Sequence, residues 1–163
     1  MSDTEQAKKL HISLRKGIIL NGPVGCGKTS ILTLFREFMN KEFRYTIISC
    51  REVSFEFNEC GFSVILKYGK HCIDKHTLKP KIILFDDLGT ERTLKFYGTE
   101  CNVIGEILLS RYDQFISNKM NTYITTNLNS IEIEEIYGKR VRSRMREMFN
   151  LISYSKSTID KRT

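Results

Sequence analysis

No apolar run in this 163-residue sequence approaches the roughly 18 residues that a membrane-spanning helix needs. The N-terminal MSDTEQAKKL also lacks the apolar stretch of a secretory signal peptide, so a cytoplasmic protein without membrane attachment is expected. Proline is scarce, with only Pro23 and Pro80, while hydrophobic residues make up 40% and charged residues 28%, a balance that excludes a disordered chain. Internal repeats and low-complexity linkers are absent. Cysteine occurs at 26, 50, 60, 72 and 101, an odd number without a CxxC pair, which argues against a disulfide framework and for reduced thiols. The grouping Cys60, His71, Cys72 and His76 matches no common zinc spacing, so no metal cluster of that kind is expected. The length suits one buried core and is too short for two ordinary domains.

What is present begins with GPVGCGKT, residues 22–29, which fits the pattern G-x-x-x-x-G-K-[ST] and follows the apolar run Gly17 to Leu20. A phosphate chain carrying several negative charges must be wrapped by backbone N–H groups, and Gly22, Gly25 and Gly27 permit that wrap. Pro23, Val24 and Cys26 fill the variable positions. Lys28 is expected to reach the β- and γ-phosphates and Thr29 to offer its hydroxyl to Mg2+. Ser30 then opens a helix whose positive end faces the phosphates. The expected ligands are ATP and Mg2+.

Along the chain, residues 1–16 read as a flexible lead-in and 17–155 as one core. Residues 156–163 read as a basic tail. Ser30 to Asn40 reads as an amphipathic helix with Ile31, Leu34, Phe35 and Phe38 on one stripe. Tyr45 to Ser49 reads as a strand. Arg51 to Lys81 is the least legible stretch, with a helical portion near Gly61 to Tyr68. KIILFDD, Lys81 to Asp87, is a continuous apolar run ending in two carboxylates, as in a central parallel strand buried on both faces. The segment LGTERTLKFYGTECN reads as a long polar loop, Val103 to Ile116 as a helix on the sheet, and Asn121 to Thr126 as another strand. Ser130 to Tyr137 is a helix broken by Gly138, Lys139 to Met148 resumes it with strong basic character, and Asn150 to Ser155 supplies a last strand. Strands alternating with helices at this pitch argue for an α/β protein with a parallel sheet covered on both faces.

Asp86 and Asp87 end the apolar strand, where open α/β sheets place their ligands. Asp86 is expected to hold Mg2+ through water and Asp87 to orient or deprotonate an attacking water. Asn127 closes the next strand in TTN, where a polar side chain can touch the γ-phosphate. In RVRSRMR, Arg140 and Arg144 form one helical i,i+4 pair, and Arg142 and Arg146 form another on a different face. An arginine supplied to a phosphoryl-transfer site by a second subunit raises turnover by roughly 10³ to 10⁵. Lys139 to Thr163 hold eight Lys or Arg against two acids, a net +6 that leaves only +1 of the +7 total for the rest of the chain. A patch of that kind attracts nucleic acid or an acidic partner.

The order GPVGCGKT, ILFDDLGTE, TTN, YGKRVRSRMREMF resembles the AAA+ ATPases of the bacterial helicase-loader type (DnaC-like) and their transposition-helper relatives (IstB-like), over residues 17–155. The resemblance implies a P-loop NTPase core, a five-stranded parallel sheet in the order 5-1-4-3-2. It makes Lys28 and Thr29 Walker A, Asp86 and Asp87 Walker B, Asn127 sensor 1 and Arg144 the arginine finger, with Arg140 as accessory. It further implies a homo-oligomer formed on nucleotide binding and a protein partner such as a helicase or transposase. The chain departs from the pattern where family members carry a partner-docking domain, since sixteen residues precede the first strand. Nineteen residues follow Arg144, so a helical lid is expected to be absent or minimal. Lys156 and Arg162 in the tail are not assigned the role of a lid arginine.

The leading expectation is therefore an Mg2+-dependent ATPase that assembles and acts on DNA, through its C-terminal basic patch, or on a DNA-processing partner. The alternatives are a small-molecule P-loop kinase, which would need an acceptor pocket and arginines acting in cis, and a nucleotide switch or adaptor without efficient turnover. Guanine specificity is not expected, because Asn118-Lys119 lacks the Asp of N-K-x-D.

Overall fold

The computed structural model describes residues 3–91, 94–96, 99–155, 157–158 and 160–161. Its strands are Gly17–Asn21 (β1), Thr46–Ser49 (β2), Ile83–Leu88 (β3), Leu94–Phe96 (β4), Thr99–Cys101 (β5), Thr122–Thr126 (β6) and Phe149–Ser153 (β7). Five of them form one all-parallel sheet in the order β2-β3-β6-β1-β7. Numbered without the β4-β5 hairpin and read from the other edge, this is the expected 5-1-4-3-2. Alternation along the strands serves both faces. Ile19, Phe85 and Ile124 point into one core, and Leu20 and Leu84 into a second, smaller one.

Most of the cover of the larger core comes from Cys50–Cys60 (α3), Val103–Asn118 (α5) and Ser130–Met148 (α6), with Val64 of a short further helix buried among them. Before them in the chain come Asp3–Lys9 (α1) and the P-loop helix Lys28–Phe38 (α2), and Ser63–Tyr68 (α4) follows α3. In the lead-in, Ser13 and Asn150 exchange two hydrogen bonds, each 2.8 Å, and Lys16 donates to the Arg146 carbonyl. Gly138, at φ 85° and ψ 161°, breaks α6 into two pieces, as its position in the sequence predicts.

Three local expectations need correction. The stretch from Arg51 hides a full helix, α3, whose N-terminus is held by a capping box between Ser49 and Glu52 and whose Val53 and Phe57 are fully buried. The expected polar loop after β3 contains the antiparallel β4-β5 hairpin, although residues 92, 93, 97 and 98 of that loop lie outside the described residues. On α2 the stripe Ile31, Leu34, Phe35 and Phe38 faces solvent, Phe38 at 80% exposure, and the helix buries Lys28 and Leu32 instead. The P-loop sets the rotation of α2 by turning Lys28 inward. Leu32, four residues on, follows Lys28, and the apolar stripe is left roughly a quarter turn away.

Arg111 anchors the lower end of the sheet. Its guanidinium is fully buried and donates to Thr122 Oγ1 at 2.7 Å and to the carbonyls of Tyr68, Lys81 and Asn121 at 2.8, 3.1 and 2.9 Å.

Candidate functional site

The loop 22–29 leaves β1 at the C-terminal edge of the sheet, and Gly22 N–H bonds the Thr126 carbonyl at 3.2 Å. Gly25 and Gly27 have φ of 76° and 90°, in the left-handed region where glycine carries no steric cost. A side chain at Gly22 would collide with Tyr154 and the Cys26 sulfur. Cys26 itself is buried, so it packs beneath the loop. Lys28 turns its ammonium back onto the carbonyls of Gly22 and Pro23, at 2.9 and 3.0 Å.

Across from the loop, β3 brings its carboxylates to the same edge. Thr29 Oγ1 donates to Asp86 Oδ1 and Oδ2 at 2.9 and 3.1 Å, so a hydroxyl and a carboxylate 57 residues apart in sequence already touch. Hard oxygen donors of this kind are what a Mg2+ ion takes as ligands. Asp87 stands next to it with φ 55°, and the register of β3 on β6 shifts between Phe85 and Leu88. Thr90 closes the turn, its N–H and hydroxyl both bonding the Asp87 carbonyl, at 3.1 and 2.8 Å. Glu91 accepts the Gly89 N–H at 2.9 Å and the Tyr137 hydroxyl, which ties the turn to α6. Burial, together with the Glu91 carboxylate, pushes the Tyr137 hydroxyl far above the usual tyrosine range, so it stays a donor to that carboxylate.

A cavity of about 260 Å³ lies between these groups, lined by Val24, Gly25, Gly27, Lys28, Thr29, Ser30, Asp87, Thr90, Asn127 and Lys161. It falls just below the roughly 300 to 1,000 Å³ of drug-sized ligand pockets, a fit for the phosphate end of a nucleotide. Of the residues singled out in the sequence, this one cavity gathers Lys28, Thr29, Asp87 and Asn127, with Asp86 bonded to Thr29 behind them.

Arg140 and Arg144 are not among them. The helix α6 starts beside Asn127, at the loop end of the sheet, and runs back to the other end, where Phe149 pairs with Gly17. Arg144 lies in the second half of that helix, toward the end where β1 begins, and does not line its own chain's cavity. There it lies over the Tyr112 ring, 4.3 Å from its centre, and donates to the Tyr112 hydroxyl and to Glu147 at 3.0 and 3.3 Å. Arg142 pairs with Glu134, and Arg140 is exposed.

No pattern in the sequence marks Lys161. Its N–H bonds the Gly25 carbonyl at 3.0 Å, it lines the cavity, and Asp160 beside it lies against Gly25. Lys156 and Arg162 lie outside the described residues.

The strand order and the glycine-rich loop at the edge of the sheet are those of the α/β P-loop NTPase fold, which the similar solved structures share. The chain is similar to the DnaC helicase loader (TM-score 0.61, 22% identity, covering 86% of this chain and 79% of that one) and to DnaI (0.59, 22%, 86% and 73%). It is also similar to AMPPCP-bound DnaA from Aquifex aeolicus (0.53, 16%, 93% and 44%). No family model matches the sequence, and no curated protein matches it. Among the described residues no helix is long and apolar enough to cross a membrane.

Proposed function

We propose that this protein is an Mg2+-dependent ATPase whose hydrolytic site is completed by an arginine from a second copy. The observation that carries the reading is the contact of Thr29 Oγ1 with Asp86 beside a loop held open by two left-handed glycines. Thr29 and Asp86 would hold the ion, which supplies charge neutralisation at the β- and γ-phosphates. Lys28 would exchange the Gly22 and Pro23 carbonyls for phosphate oxygens. The loop amides bind the phosphate chain and the N-terminus of α2 adds its positive end. Asp87 orients the attacking water and accepts its proton, while Asn127 donates its amide to the γ-phosphate.

Arg144, with Arg140 as accessory, acts on a neighbour's phosphates, because neither lines its own chain's cavity. A kinase would need these arginines in cis, and neither lines the cavity of its own chain. ATP is the preferred nucleotide, in line with the AMPPCP held by the similar DnaA. A replicative helicase or a related DNA-processing protein is the partner we favour, by likeness to the DnaC loader, with the basic second half of α6 as the surface offered to DNA. The site of action is cytoplasmic.

Titration of ATP onto the wild type and Lys28→Ala, with Mg2+ present and absent, tests the site. Binding in the wild type that Lys28→Ala weakens supports it, and equal affinity in both removes the P-loop assignment. Binding without turnover, alone and with DNA, would favour the switch reading.

A further inference from the structure

Thr125 sits one residue before the end of β6 and lines no part of the cavity. Its side chain is fully buried, yet its hydroxyl is used twice, and both partners belong to the site. It donates to Asp86 Oδ1 at 2.6 Å and accepts the Asp87 N–H at 2.8 Å. A hydroxyl carries one proton and two lone pairs, so one group can serve both contacts at once.

The second contact occurs where the strand is irregular. Asp87 follows the register shift of β3 on β6 and has φ 55°. A non-glycine residue in that region is strained and persists only where its surroundings over-determine it. In a regular parallel ladder a backbone carbonyl of the neighbouring strand takes such an amide. Here a side-chain hydroxyl takes it, and the displaced backbone turns Asp87 toward the cavity that it lines. The Thr90 contacts hold the other side of the same residue, through the Asp87 carbonyl of the following peptide.

We propose that Thr125 is a positioning residue for both carboxylates. Through Oδ1 it sets the rotamer of Asp86 opposite Thr29, and through the Asp87 amide it keeps the left-handed turn that aims the second carboxylate at the γ-phosphate end. This rests on the ATPase reading above. The pairing of one buried hydroxyl with two successive carboxylates separates two effects, metal demand through Asp86 and turnover through Asp87, neither of which requires a change in ATP affinity without metal.

The test compares wild type, Thr125→Ser and Thr125→Val, with Thr125→Ala as a second hydroxyl-free variant in case valine does not fold. Four quantities are read: kcat, KM for ATP, the Mg2+ concentration at half-maximal activity, and ATP affinity with and without Mg2+. Serine can make both bonds and should stay within a few-fold of wild type. Valine keeps the shape and makes neither, and should lower kcat about 10²-fold, the effect of a small misplacement at a reacting centre. It should also raise the Mg2+ requirement while leaving KM and metal-free affinity near wild type. A valine or alanine variant with wild-type kcat and Mg2+ demand overturns the proposal. So does a serine variant that falls as far as valine, since burial rather than the hydroxyl would then matter. If the wild type binds ATP but does not hydrolyse it, the ATPase reading fails alone, and the Mg2+-dependence of ATP binding decides the role of Thr125. Equal dependence in wild type and valine overturns it, and a dependence weakened only in valine upholds it. A wild type that binds no ATP removes both.

Discussion

Gly27→Ala isolates the conformational cost of the phosphate loop from any steric one. A methyl group built on Gly27 meets nothing within 4 Å, while its φ is 90°, so the substitution adds no collision and leaves only the strain of an L-residue in the left-handed region. That strain is about 1–2 kcal/mol. If the loop keeps its shape, unfolding free energy drops by that amount. If instead the free loop relaxes, binding must restore the shape, and ATP affinity falls by about 5- to 30-fold, since 1.4 kcal/mol is a factor of ten. The two losses together should account for about 1–2 kcal/mol. Urea denaturation gives the first and ATP titration gives the second. A variant that matches wild type in both would refute the account of the loop, because it would mean that Gly27 does not hold this conformation.

Two further substitutions probe opposite ends of the sheet. Asp87→Asn preserves the shape of the side chain and suits the positive φ, so ATP should bind as in wild type while hydrolysis falls by at least about 10²-fold; normal turnover would move the base elsewhere. Arg111→Met keeps the apolar stem and removes four hydrogen bonds. At about 1.5 kcal/mol for each bond from a charged donor, offset by several kcal/mol of relieved desolvation, the net loss should be about 2–4 kcal/mol of stability. ATP affinity in the surviving folded protein should not change, and an equally stable variant would show that the guanidinium does not organise that end.

The parts of the site that were legible in the sequence are those in which chemistry dictates both residue type and spacing. A loop that wraps phosphate needs its glycines and its lysine at fixed intervals, and a strand buried on both faces must be apolar until it reaches the ligand. GPVGCGKT and KIILFDD therefore announce themselves, and the strand order follows from the family they resemble. Helix α3 was readable in principle, since Ser49 and Glu52 form an S-x-x-E capping pattern before Val53 and Phe57, but the mixed polar composition that follows conceals it. The stripe on α2 illustrates a different limit, because periodicity identifies an amphipathic helix without saying how it is rotated. Lys28 decides that rotation, against the hydrophobic stripe. Thr125 has no sequence signature, because its contribution depends on a strand irregularity that no spacing rule encodes. The approach of Lys161 to Gly25 joins residues far apart in the chain and has no local signature. Arg140 and Arg144 were readable as a pair, but only the direction of α6 shows that Arg144 lies toward the end of the sheet away from its own cavity, which neither lines.

That separation makes the shared site the claim most open to direct test. ATP hydrolysis per subunit should be measured from dilute to concentrated protein for wild type and Arg144→Ala, with and without DNA. Specific activity should climb with concentration in the wild type and be lost in Arg144→Ala while ATP binding remains. Activity that is independent of concentration and survives the substitution would contradict the shared site, since the hydrolytic site would then be complete within one chain.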